Sequence, residues 1–253
     1  MIHRWNTATG GTILAAFIIC SWSCSITKKL GECKYLLVKN RVIYEDMPSA
    51  PLPPEEITYI IKQKPNTSVL SIARPYMWFY LWGASGDTSA GSKLKIKFKR
   101  WLRTIGEEPT IFDSSLMQKS ASQINLFLRQ KGYINSEVKP EVNFKKSRAT
   151  VSYHITFGKP MKIGDFSIIL LDTTISQEMK YVLRNSLIRR GILFDRDILI
   201  NERDRITKEM KELGYYNFSQ DYIEFYVDTT GKKYDEKIGG IPVSVDMVIK
   251  PWE

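Results

Sequence analysis

Apolar residues recur along this chain in two rhythms, and the switch between them marks its elements. "KYLLVKNRVIY" (residues 34–44) is rich in β-branched and aromatic residues and reads as a strand. "PPEEITYIIKQK" follows with Ile57, Ile60 and Ile61 on one helical face, and Pro65 stops it. From Leu116 the period is again helical, through Ile124, Phe127 and Leu128. The strand-like runs "SEVKPEVNF" and "ATVSYHITF" come next, joined by a polar turn at 145–148. The same succession then recurs. "MKIGDFSIILL" reads as a strand, "ISQEMKYVLRNSLI" as a helix, and Ile198, Ile206, Met210 and Leu213 form a second apolar stripe before the strands "YIEFYVD" and "IPVSVDMVIK". Each unit is β-α-α-β-β, which predicts an α+β fold: two modules, each a small three-stranded sheet with two helices on one face.

The second unit repeats the first in sequence as well as in pattern. "IFDSSLMQKSASQINLFLRQKGYIN" begins at Ile111 and "LFDRDILINERDRITKEMKELGYYN" at Leu193. Laid over each other without a gap, Phe112 falls on Phe194, Asp113 on Asp195, Gly132 on Gly214, Tyr133 on Tyr215 and Asn135 on Asn217. Asp113 and Asp195 stand where a carboxylate can accept the unpaired amides of a helix's first turn. Gly132 and Gly214 stand where the chain leaves the helix in the left-handed conformation, and the following Tyr can fold back on the last turn. The Gly-Tyr-x-Asn signature therefore ends a helix and launches a strand.

Composition sharpens the setting. The 253 residues carry 43% hydrophobic and 25% charged side chains, as expected of a folded chain of one large or two small domains. Net charge is +10, which suits anionic lipid headgroups or nucleic acid but does not choose between them. The N-terminus narrows the choice. "MIHRWNTATGGTILAAFIICSWSCS" has a positive start at Arg4, an apolar run from Ile13 to Ile19 too short to span a bilayer, and small residues leading to Cys24. Residues 1–23 read as an export signal, whose removal takes away only Arg4 among the charged residues, so the basic excess belongs to the rest of the chain. Two readings of the cysteines stay open. In one, Cys24 becomes an acylated N-terminus, with Cys20 as a rival position, and Cys33 is left as the odd thiol. In the other the signal is simply cleaved, and Cys24 and Cys33 are free or paired with each other. The lipoprotein reading is carried forward, with 24–32 as a lipidated linker.

At this point the residues resemble a known family. The order β-α-α-β-β with Gly-Tyr after the second helix is similar to the polypeptide-transport-associated (POTRA) module. The wider match resembles the periplasmic region of BamA/TamA-like outer-membrane assembly proteins of Bacteroidetes. It rests on "CSITKKLGECKYLL", "IKQKPN", "RWLRTIGEEPTIFD", "LRQKGYIN", "GILFD" and "LGYYNFSQDYIEFYVDTT". The resemblance implies modules at 33–160 and 161–251, on the periplasmic face of the outer membrane. Their partners would be unfolded outer-membrane-protein clients or other assembly-complex proteins. It also implies binding by strand addition at the first strand of each terminal hairpin, here Val138 and Val142 in one copy and Tyr222, Ile223, Glu224, Phe225, Tyr226 and Val227 in the other. Pro140 blunts the first of these edges, leaving the second as the better client edge, with Glu224 read as an edge donor. Relatives continue into a barrel where this sequence reads "VIKPWE". The chain is then either the N-terminal part of a barrel-containing assembly protein or a stand-alone envelope lipoprotein acting as a structural tether.

Nothing in the sequence points to catalysis, a metal or another cofactor, or to a small-molecule substrate. His3 lies in the leader, His154 sits on the strand face opposite Val151, Tyr153 and Ile155, and neither CxxC nor HExxH occurs. "GDTSAGSK" (86–93) inverts the Lys-Ser/Thr order of a phosphate loop and reads as a plain loop. The insert at 74–105 is unusual. "RPYMWFYLW" precedes that loop, and "SKLKIKFKRWLRTIG" follows with Leu94, Phe98, Trp101, Leu102 and Ile105 on one helical face. Lys93, Lys95, Lys97, Lys99, Arg100 and Arg103 fill the rest. Such a helix fits an outer-membrane lipid surface; it equally fits packing onto the first module with a solvated basic rim. Nucleic acid is disfavoured by export. If Cys24 is the lipid anchor, Cys24→Ser releases the protein from membranes and abolishes incorporation of a fatty-acid probe. Unchanged membrane fractionation, with no label on the wild type, would exclude the anchor.

Overall fold

The structure, a computed structural model, describes residues 34–47, 52–68, 74–85, 93–230 and 233–251. The residues read as an export signal, Cys24, Cys33 and most of the Gly86–Lys93 loop lie outside the described residues. In chain order the elements are β1 (Leu36–Tyr44), α1 (Pro54–Ile60), α2 (Pro75–Ala84), α3 (Lys93–Ile105), α4 (Ser114–Gln130), β2 (Glu137–Lys145), β3 (Arg148–Thr156), β4 (Met161–Leu170), α5 (Ser176–Leu183), α6 (Arg196–Glu212), β5 (Ile223–Asp228) and β6 (Ile241–Ile249). They form two three-stranded sheets of equivalent order, β1-β3-β2 and β4-β6-β5. The α+β class and the doubled β-α-α-β-β order are those read from the sequence, with α2 and α3 as the insert of the first copy.

The chain gathers into two compact units. One comprises the described residues up to Arg41, Ile61–Ser120 and Pro140–Tyr153; the other comprises Val42–Ile60, Ala121–Lys139 and the residues from His154 onward. In the first unit a side-chain clasp holds the segment ahead of α4. Asn66 donates to the Glu108 carbonyl at 2.7 Å and accepts from the Thr110 N–H at 2.8 Å. Gln63 donates to the Ile111 carbonyl. The Thr67 N–H donates to Glu107 at 2.8 Å, and the hydrogen bonding from Thr67 lowers the Glu107 pKa. These bonds give "IKQKPN" a structural role: its Gln and Asn pin the chain so that Ile111 bridges Leu36 beside β1.

In the second unit the sheet is mixed. β4 runs parallel to β6, and β5 runs antiparallel to it. Along β6 the inward residues Val243, Val245, Met247 and Ile249 are fully buried, the two-residue period of a sheet with one covered face. Met179 and Val182 of α5 and Ile206 and Met210 of α6 pack on Met247 and Ile249, with Phe218 closing the cluster. A bulge interrupts β4 between Ile163 and Asp165. The extra residue, Gly164, inverts the alternation, so Met161 and Ile163 face the core before it and Phe166 and Leu170 after it.

Both capped helices form, each over seventeen residues. Asp113 accepts from the Ser115 N–H at 2.7 Å and Asp195 from the Asp197 N–H at 2.9 Å. Their apolar stripes differ from the sequence reading in both copies: in α4 Met117 and Ala121 are buried while Leu116 is half-buried. Leu213 is exposed because it is the C-cap residue, past the last turn that faces the sheet, and Leu199 is buried instead. α1 and α5 are shorter than the apolar periodicity suggested, since the chain turns out of the helix at Ile61 and at Arg184. His154 is half-buried, with Nδ1 2.5 Å from Glu45 Oε1.

One buried charge is tied into α6. Glu202 is fully buried and meets Arg205 through two bonds, Nε to Oε2 at 2.9 Å and Nη2 to Oε1 at 2.8 Å. It also accepts the Leu187 N–H at 3.0 Å, while Arg205 reaches the Val182 carbonyl and Glu209. Burial raises the Glu202 pKa, but the bonds from Arg205, Leu187 and Ser186 outweigh it and hold the carboxyl below its ordinary value. A carboxylate depressed in this way stabilises the fold above its unfolded pKa of about 4.3, and the contribution is lost as pH falls through the folded value. Glu202→Gln is expected to cost about 3 kcal/mol at pH 7 by leaving Arg205 under-paired. The gap to wild type should narrow in urea melts repeated below pH 4; a gap that stays constant with pH would contradict the account.

Candidate client-binding edge

The two Gly-Tyr-x-Asn signatures end their helices alike but meet different surroundings. Gly132 has φ +85° and Gly214 φ +102°, both in the left-handed region. Gly132 is buried, and a β-carbon there would lie 2.2 Å from the Phe194 carbonyl oxygen. Around Gly214, which is exposed, no described atom comes within 4 Å of that position. Tyr133 is buried, with its ring edge-on to Phe157 at 5.0 Å, whereas Tyr215 is half-buried.

What crowds Gly132 is the start of the second copy, all within the second unit. The Met161 N–H donates to the Gly132 carbonyl at 2.8 Å, and the Phe194 N–H to the Met161 carbonyl at 2.9 Å. Leu193 bridges Lys162 beside β4 as Ile111 bridges Leu36 beside β1, so the repeated Phe-Asp motif adds a short bridge to the first strand of each copy. Lys131, at the end of α4, places Nζ 3.0 Å from Asp195 and 2.7 Å from Asp197, at the start of α6. Burial pulls the Lys131 pKa down, but the two carboxylates outweigh it and raise it above the ordinary lysine value. The sequence reading gives Gly132 and Asp195 capping roles, gives Lys131 and Asp197 none, and misses the junction. The signal available was Asp-Arg-Asp after Phe194, a second carboxylate beyond what a cap needs.

Beside this junction runs β5. It pairs with β6 alone, and no strand lies along its outer side among the described residues. Ile223, Phe225 and Val227 pack toward the helices, while Glu224 and Tyr226 face away. On that outer face Lys250 and the Tyr226 hydroxyl both donate to Glu224 and lower its carboxyl pKa.

The ladder decides which amides are on offer. The Lys250 N–H donates to the Tyr222 carbonyl, and the register pairs Glu224 with Val248 and Tyr226 with Asp246. Antiparallel alternation then turns the N–H groups of Glu224, Tyr226 and Asp228 toward β6, and those of Phe225 and Val227 toward the open edge; the Ile223 N–H is taken by the Gln220 carbonyl of the helical turn before β5. Glu224 is therefore not the edge donor that its outward side chain suggested. At the end of this edge Val227 lines a depression of about 360 Å³ with Ile134, Phe194, Leu199, Arg129, Gln130 and Arg196. β2 occupies the equivalent edge of the first sheet, with Val138, Pro140 and Val142 half-buried along one face.

No protein-family model and no curated protein matches this chain. Among solved structures it is similar to BamA POTRA3–5 of Haemophilus influenzae, at 13% identity, covering 88% of this chain and 69% of that one, with a TM-score of 0.38. It is similar to POTRA1–2 of the periplasmic domain of Omp85 from Anabaena, at 12% identity over 88% of this chain and 100% of that one, TM-score 0.35. CdiB from Escherichia coli is similar at 6% identity over 89% of this chain and 28% of that one, TM-score 0.29.

The glycine contrast is testable. Gly214→Ala should cost about 1–2 kcal/mol, the strain of a β-carbon at positive φ. Gly132→Ala should cost about 1–3 kcal/mol more, because its β-carbon meets backbone that cannot rotate away. Urea denaturation of both variants decides it; equal losses would remove the close approach at Phe194 from the account.

Proposed function

We propose that this chain is a periplasmic scaffold of outer-membrane protein assembly, which holds extended client or partner chains by adding them as a further strand along β5. The observation that carries the reading is the outer edge of β5. Phe225 and Val227 direct their amides outward, and the edge ends at a groove lined by Ile134, Phe194, Leu199 and Val227. An extended chain laid there gains backbone hydrogen bonds whatever its sequence, and the groove accepts an apolar side chain from it. Such binding suits a factor that serves many clients. The doubled β-α-α-β-β order, the helix-ending Gly-Tyr pairs and the resemblance to BamA/TamA-like proteins support the same setting.

The ladder parity selects the test. Val227→Pro deletes an outward amide and leaves the β6 hydrogen bonds in place, a position where an edge strand tolerates proline. Glu224→Pro removes an inward amide and breaks the ladder, so it reports on folding. A fluorescent peptide copying one strand of an outer-membrane barrel is titrated against wild type and Val227→Pro. The expected result is weaker binding by about fivefold to tenfold, the worth of one net hydrogen bond, with an unchanged circular dichroism spectrum. Equal affinities for the two folded proteins would exclude strand addition at this edge.

A further inference from the structure

The insert of the first copy is a helical hairpin whose apolar side is turned the wrong way for packing. α2 and α3 approach backbone to backbone. A β-carbon on Gly83 would lie 2.7 Å from the Lys99 carbonyl oxygen and 2.9 Å from the Arg103 nitrogen, and one on Gly106 would lie 2.3 Å from the Tyr80 nitrogen. Lys99 Nζ donates to the Ser85 carbonyl at 2.7 Å, and the Arg103 guanidinium lies over the Tyr80 ring. α2 therefore occupies the side of α3 that carries Lys99 and Arg103. These two cations, read from the sequence as membrane-surface candidates, are engaged within the hairpin.

The opposite side of α3 carries Leu94, Phe98, Trp101 and Ile105, spaced so that they fall in one row. They are 79%, 58%, 54% and 37% exposed, and Phe98 and Trp101 stack with centroids 5.7 Å apart. Of the apolar residues expected to share this face, only Leu102, at its margin, is buried. Helical spacing puts Lys97 on one flank of the row and Lys95 on the other, both exposed, and neither α2 nor α3 contains an acidic residue. Packing onto the module would have buried the row.

We infer that the α2–α3 hairpin is a membrane-surface dock: α3 lies along an anionic bilayer, with Leu94, Phe98, Trp101 and Ile105 in the acyl boundary and Lys93, Lys95 and Lys97 on the headgroup phosphates. The charge commits the occupant. A like-charged second copy would set lysine against lysine around the apolar row, whereas anionic headgroups neutralise them at a gain of roughly 1 kcal/mol per cation near the surface. Trp and Phe beside lysines are the residue types that settle at the headgroup level. A thirteen-residue helix is about 20 Å long, shorter than the hydrocarbon core, so α3 lies on the surface and does not cross it. This inference stands independently of client binding at β5.

Vesicle flotation tests it on the full chain carrying Cys24→Ser, so that no acyl group can hold the protein to lipid. The expected result is flotation with vesicles containing phosphatidylglycerol and little with pure phosphatidylcholine, weakening as salt rises. Combined Phe98→Ser and Trp101→Ser, and separately Lys95→Glu and Lys97→Glu, should each lower the bound fraction at least about tenfold. Unchanged circular dichroism spectra and urea melts of both variants show that they are folded. Failure of the wild type to float, or flotation that survives both sets of substitutions, overturns the proposal. So does a wild-type dimer in lipid-free solution that these substitutions dissociate and that does not float, which would assign the row to a second copy.

Discussion

The contact between Gly132 and the Phe194 carbonyl constrains more of this molecule than any other single feature. A helix that ends on a left-handed glycine can turn sharply in open solvent, as at Gly214. At Gly132 the same turn is pressed against backbone, with Met161 bonding to its carbonyl and Lys131 reaching the carboxylates at the start of α6. The end of one repeat is thereby joined to the beginning of the next. Phe194 is held between them, and the groove at the end of β5 is made from residues of both copies.

Two charges at this junction and inside α6 are each answered by more than one partner: half-buried Lys131 by two aspartates, and buried Glu202 by Arg205 and a backbone amide. Arg203 differs, its buried Nε having no hydrogen-bond partner among the described residues while its guanidinium lies over the Phe225 ring. Desolvation works against Lys131 and Glu202, and the hydrogen bonds outweigh it. The gain is largely geometric. Glu202 bonds the loop after α5 to α6, and Lys131 bonds α4 to α6, so the helices over the second sheet hold fixed positions relative to β5.

The insert shows the reverse situation. Met77 and Leu102 are buried, but the row Leu94, Phe98, Trp101 and Ile105 stays exposed, because glycines at Gly83 and Gly106 let α2 and α3 meet on the side where cations stand. The hairpin engages part of its own charge and leaves its hydrophobic row exposed among the described residues. In the second sheet the corresponding exposure is of backbone, along β5, where Ile223 is buried and Phe225 and Val227 are half-buried. One surface offers hydrogen bonds and the other offers hydrophobic contact.

Much of this was written in the sequence. The period of two along β6, the aspartate caps, the helix-ending glycines and the ungapped repeat fixed the element order, because each depends on residues a few positions apart. What depended on distant residues was not legible. The two glycines read alike in sequence, and only the arrival of Phe194 makes one of them irreplaceable. Leu213 matched the apolar stripe and proved to be a solvent-facing cap. The outward side chain of Glu224 suggests an edge donor, yet ladder parity is set by the register against β6, which no local pattern encodes. The apolar face of α3 was plain from helical spacing, but which side α2 would cover was decided by backbone approach at two glycines. Local chemistry determined the pieces, and packing between residues far apart in the chain determined which of their faces remain available.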